Sequence, residues 1–146
     1  MGRRATDFAL LLIRIILAVV FFAHGAQKVF GWFGGPGLRG FVSGMSHNGM
    51  PAVISYLVAF GELLGSLGLF FGLLTRIAAA GLALEMLGAV FLIHRPMGFF
   101  MNWYGTKKGE GFEYSLTLAI VLLALVIAGA GDYAFDSSNG RKRWRR

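Results

Sequence analysis

The sequence predicts an all-α, polytopic membrane protein: a bundle of four transmembrane helices with aromatic and glycine-rich outer loops. Three observations predict it. Four apolar runs, approximately 8–23, 52–74, 77–94 and 114–131, are each about long enough to cross a bilayer, which takes roughly 17–25 residues. The chain is 56% hydrophobic and 14% charged, where a soluble domain carries about 25% charged residues. Arg14, Glu62 and Glu85 nevertheless sit inside the first three runs. An ionisable group at membrane depth costs roughly 2.5–3.5 kcal/mol on insertion scales and marks a polar interior.

No polar linker divides the 146 residues, so 1–136 reads as a single transmembrane domain and 137–146 as a basic cytoplasmic tail. The chain has no cysteine. Disulfides, thiolate relays and Cys-ligated zinc or iron–sulfur clusters are thereby excluded within it.

Taken in order, the first run follows Arg3 and Arg4 and ends near the small residues Ala23, Gly25 and Ala26. A signal peptide is the rival reading, but Arg14 is out of place in the apolar stretch of one. The loop after it, Phe30-Gly31-Trp32-Phe33-Gly34-Gly35-Pro36-Gly37, mixes aromatics with glycine. Aromatics belong at the membrane–water interface. Segment 38–50 reads as a short amphipathic helix, with Leu38, Phe41, Val42 and Met45 on one face. Ser46-His47-Asn48-Gly49 and Pro51 end it, and His47 there reads as solvated.

The second run carries Gly61, Gly65, Gly68 and Gly72, small-xxx-small spacings that let helices approach closely. Thr75-Arg76 makes a tight turn into the third run, so the two form an antiparallel hairpin. The second outer loop runs from Met97 to Gly111 and is again rich in Phe, Trp, Tyr and Gly. Tyr56, Tyr104 and Tyr114 read as interface anchors.

Four spans put both termini on one side. Arg3, Arg4, Arg76 and the cluster in 141–146 would share that side, which the positive-inside rule makes the cytoplasm. The tail reads as an anchor at an anionic leaflet, and the net charge of +7 comes largely from it. No nucleic-acid motif accompanies it, so the expected partner is the lipid bilayer and not nucleic acid.

The candidate ligand and proton-site residues are Arg14, His24, Lys28, Glu62, Glu85 and His94. At 1.5 Å per residue, counted from the starts of their runs, Arg14 and Glu85 come out level, with Glu62 near mid-span. His24 and His94 come out level at the outer ends. The expectation is therefore two polar layers: Arg14 paired with Glu85 or Glu62 below, and His24, Lys28 and His94 above. At about 100° per residue Glu85 and His94 project to opposite sides of an ideal helix. No HxxxH or HxxE spacing occurs, so no metal site is assigned. No nucleophile triad, P-loop or dinucleotide fingerprint is present, and catalytic residues stay unassigned.

The run His24-Gly25-Ala26-Gln27-Lys28-Val29-Phe30-Gly31, then Phe33-Gly34-Gly35-Pro36-Gly37, resembles the signature of the DoxX family. So do Glu62-Leu63-Leu64-Gly65, Gly72-Leu73-Leu74-Thr75-Arg76, and the segments Gly98-Phe99-Phe100 and Gly111-Phe112-Glu113-Tyr114. The similarity covers about residues 8–136. It implies a small four-helix protein of the bacterial inner membrane. It also implies kinship with the membrane subunit of thiosulfate:quinone oxidoreductase, with proteins of catechol and quinone resistance, and with oxidative-stress complexes.

The expectation is a subunit of a quinone-linked oxidoreductase or detoxification system. Its helices would hold a small amphipathic molecule such as a quinone, with no covalent cofactor. A redox partner subunit and a homo-oligomer are the expected protein partners. The alternatives are a non-enzymatic scaffold for a partner protein and a small transporter.

Overall fold

The structure, a computed structural model, describes residues 2–137; apart from Ser137, the basic tail expected over 137–146 lies outside the described residues. The described residues are helical, with no strand among them. Helix α1 (Arg3–Phe30) is followed by a 3₁₀ turn (Trp32–Gly34) and α2 (Gly37–His47). Then come α3 (Ala52–Phe71), α4 (Thr75–Ala89), a π-helical turn (Val90–His94), a second 3₁₀ turn (Arg95–Met97) and α5 (Glu113–Ala128).

Three stretches are long and apolar enough to cross a membrane: Arg3–Phe30, Ala52–Phe71 and Thr75–Met97. The fourth apolar helix, α5, has 16 residues and is therefore about 24 Å long. Around the bundle, large apolar side chains such as Leu12, Ile16, Val19, Ile120 and Ile127 are exposed. In water such a surface would aggregate; in a bilayer it is solvated by lipid.

The α3–α4 hairpin is the centre of the arrangement: α1 packs along α3, and α5 packs along α4. The core between them is made by Leu17, Phe21, Leu69, Leu82, Leu118 and Leu122. The glycines of α3 face inward within this one chain. A Cβ added to Gly65 would meet Leu82, one added to Gly68 would meet Ala78, and Gly61 faces the Glu85 carboxyl. Across the other seam, a Cβ on Gly25 would lie 2.7 Å from the Leu63 backbone nitrogen. Only glycine permits α1 and α3 to cross this closely.

Helix α2 is the expected short amphipathic helix. It packs across α1 and α3 and has no fully buried residue, as suits a helix lying in the interface.

The loop end of the bundle is tightly built. Phe112 N–H donates to Gly98 O and Glu113 N–H to Phe99 O. Gly111 fits between them with no room for a side chain. Glu113 accepts from the Met101 N–H and the Trp103 indole N–H, and Glu110 accepts from the Asn102 N–H. These contacts fix Glu110 and Tyr114 at the loop-end mouth of the bundle.

Candidate functional site

A cavity of about 930 Å³ lies between the helices, lined from Ile77 near the α3–α4 turn to His94, Glu110 and Tyr114 at the loop end. Five of the six candidate residues line it: His24 and Lys28 from α1, Glu62 from α3, Glu85 from α4, and His94 from the π turn. The rest of the wall is mostly apolar, including Phe41 and Met45 of α2 and Leu57, Leu64 and Leu92. Such a mix of apolar wall and a few convergent polar groups is the usual make-up of a small-molecule site.

The polar groups form one connected cluster. The Lys28 ammonium donates to a Glu62 carboxylate oxygen in an ion pair, and lies 5.5 Å from the centre of the Phe41 ring. Glu62 in turn lies beside Glu85, with which it interacts electrostatically. Lys28 thus supplies one cation to two acids at membrane depth, and a proton on one of them would make the cluster neutral. His24 lies in the field of both Lys28 and Glu62. Among the described residues no group of three His, Cys, Asp or Glu side chains could hold a metal ion.

Arg14 is placed elsewhere, which corrects the expected pairing with Glu85 or Glu62. It is buried at the opposite end of the bundle, 1% exposed. There its Nη2 donates to the Tyr133 carbonyl at 2.8 Å, with Asp136 acting on it electrostatically. The reason is helix overhang. Helix α1 begins at Arg3, so its first three turns extend past the α3–α4 turn, and Gly72 at that turn lies against Arg14. Glu85, ten residues along α4, is thereby level with His24. The two-layer expectation had the heights right relative to each helix start, but not relative to one another.

His94 supplies a second correction. An ideal helix directs it away from Glu85, yet both line the cavity. Between them the Arg95 N–H donates to the Val90 carbonyl, closing a π turn. The extra residue of such a turn rotates the residues after it back by roughly 100°, and brings His94 toward the Glu85 face. The His94 Nδ1 is 2.9 Å from the Glu110 carbonyl. A carbonyl only accepts, so Nδ1 carries the hydrogen and Nε2 is the free basic nitrogen.

Two cavity residues were missed as site groups. Tyr114, expected only as an interface anchor, lines the cavity, and so does Glu110.

The family model described as DoxX matches residues 9–95, a stretch that carries most of α1, all of α2 to α4, and His24, Lys28, Glu62, Glu85 and His94. The chain belongs to the DoxX family. It is 31% identical over 122 residues to the "Putative oxidoreductase CatD" of Bacillus subtilis, covering 84% of this chain and 81% of that protein. It is 29% identical over 140 residues to the inner membrane protein YqjF of Escherichia coli, covering 96% and 98% respectively. An uncharacterized protein of Haemophilus influenzae is 33% identical over 132 residues, covering 88% of this chain and 82% of its own. No solved structure matches the chain. Family, relatives and apolar helices together make this DoxX chain a membrane protein.

Proposed function

We propose that the cavity binds a quinone-like small molecule, and that this DoxX protein is the membrane component of a quinone-linked redox or detoxification system. One observation carries the reading: a roomy, mostly apolar cavity holds the Lys28–Glu62–Glu85 cluster in its wall. A quinone ring is apolar on its faces and has carbonyl acceptors at its edges. Lys28 is a donor for a carbonyl oxygen, and the carboxyl pair can accept or return a proton when a hydroxyl forms or is lost. The name of the Bacillus subtilis relative, "Putative oxidoreductase CatD", favours the same class of chemistry. Electrons would come from a partner subunit. The rival is a scaffold whose exposed Trp32, Phe33, Phe99 and Phe100 grip another protein.

The test is titration in nanodiscs with ubiquinone and menaquinone analogues. Folded wild type should bind one of them saturably. Glu85→Gln leaves the Lys28–Glu62 pair in place and should weaken binding by about tenfold or more, the worth of a hydrogen bond to a charged or strongly polar group. No saturable binding to folded wild type by either class favours the scaffold.

The same reading places both termini in the cytoplasm of a four-span inner-membrane topology. Reporter fusions after Ser137 and within 107–109 should report opposite faces, the former cytoplasmic. A periplasmic C-terminal reporter reverses the orientation.

A further inference from the structure

The carboxyl pair faces only one end of the bundle in chemical terms. Toward the loop end it shares the cavity with His24, His94, Glu110 and Tyr114. Toward the α3–α4 turn the cavity continues between Gly65, Ile77, Ala78, Gly81 and Leu82, a wall with no polar side chain. Below the pair, residues 15–23, 63–71, 77–84 and 118–128 contain no titratable side chain. Ser66, the one hydroxyl among them, is committed to the Leu63 carbonyl at 2.6 Å.

His94 stands at the open end with a defined chemistry. The π turn shifts it from the ideal helical direction, it lines the same cavity as Glu85, and Glu110 O accepts from its Nδ1–H, so that Nε2 is the nitrogen with a lone pair. π turns recur where a helix must redirect a functional side chain. An imidazole held this way takes a proton on one nitrogen without losing its anchoring bond on the other.

We propose that the Glu62–Glu85 pair exchanges protons with the loop face of the membrane alone, and that His94 is the relay. The inference deepens the quinone reading, since protons taken up or released in the cavity would then pass to one side. Glu62 of α3 and Lys28 of α1 act on Glu85, and the other titratable groups of the shared cavity are His24 from α1, His94 beyond α4, Glu110 before α5 and Tyr114 within it. The cavity wall contributed by α2 is Phe41 and Met45, neither of them titratable.

The test needs no quinone. Lys108→Cys places a unique thiol on the loop face of this cysteine-free chain. In sealed proteoliposomes, an impermeant biotin maleimide then separates molecules with that face outward from those with it inward. Dicyclohexylcarbodiimide crosses the membrane and modifies protonated carboxyls in apolar surroundings, and mass spectrometry of the Glu85 peptide scores it. Alkalinising the external buffer should reduce Glu85 labelling in the outward population and leave the inward population unchanged.

His94→Phe should slow the outward response by about tenfold or more. His94→Gln can still donate to Glu110 O but has no titratable nitrogen, and should behave like His94→Phe. Labelling that follows the turn-face buffer, or both faces equally, overturns the proposal. So does an unlabelled Glu85 at every pH, a wild-type rate in His94→Phe, or recovery of that rate in His94→Gln. Failure of quinone titration would leave this result standing, and failure here would leave quinone binding standing.

Discussion

Lys28→Met is expected to destabilise the protein by about 3–5 kcal/mol, the cost of stranding one member of a buried ion pair. The Glu62 side chain is 4% exposed and that of Lys28 18%, so solvent can replace little of what the ammonium supplies. Methionine keeps most of the stem volume, which confines the change to charge. The loss also reaches Glu85, because Glu62 without its lysine stands as an uncompensated acid beside a second one. Glu62→Gln in the same molecule removes the stranded charge and should recover most of the loss. A double-mutant cycle of thermal unfolding in detergent, followed by size-exclusion fluorescence, measures the coupling. If Lys28→Met with Glu62→Gln is as unstable as Lys28→Met alone, the ion pair is not what holds α1 to α3 here.

The site was legible in the sequence wherever its signal is local. Apolar runs, the tight turn and the α2 pattern depend on local composition, and a helix forms over each run, with α1 running on to Phe30 and α5 stopping at Ala128. That Lys28, Glu62 and Glu85 are functional candidates is local too, since charge at membrane depth marks them. Which charges meet is not local. It depends on the relative heights of helices, and α1 overhangs the hairpin by a distance that no residue of α1 announces. The crossing of Gly25 on Leu63 sets that height, and a single glycine in a sequence with 22 of them is no signal. The orientation of His94 was hidden for another reason. A π turn breaks the period on which helical angles are counted, and Val90-Phe91-Leu92-Ile93 has no glycine or proline to mark it. The roles of Tyr133 and Asp136 are tertiary throughout. Asp136 accepts from the Leu74 and Thr75 N–H groups at 2.9 and 2.8 Å, and so caps α4 from more than sixty positions away.

Gly72→Ala should be the most damaging small substitution at the turn end, at about 2–5 kcal/mol. Two costs combine. Gly72 has φ +66°, a left-handed conformation that costs an alanine roughly 1–2 kcal/mol. The added Cβ would also fall 2.1 Å from Arg14 Nη1, 2.4 Å from Ala134 Cβ and 2.9 Å from Ala134 Cα, and overpacking of this kind costs about 1–3 kcal/mol. Arg14 cannot easily step aside, because its Nη2 is bonded to the Tyr133 carbonyl. Nor can the backbone around Ala134, since Asp136 N–H donates to Gly72 O at 2.9 Å while its carboxylate caps α4. Gly49→Ala separates the two costs: its φ is +81°, with nothing within 4 Å of an added Cβ. It should lose only the conformational part, about 1–2 kcal/mol. Both variants are compared by thermal unfolding in the same detergent. Equal losses would mean that residues 131–137 do not close over Arg14 and Gly72. A larger loss in Gly72→Ala assigns the buried arginine to holding the chain's C-terminal segment against the hairpin turn, apart from the chemistry of the cavity.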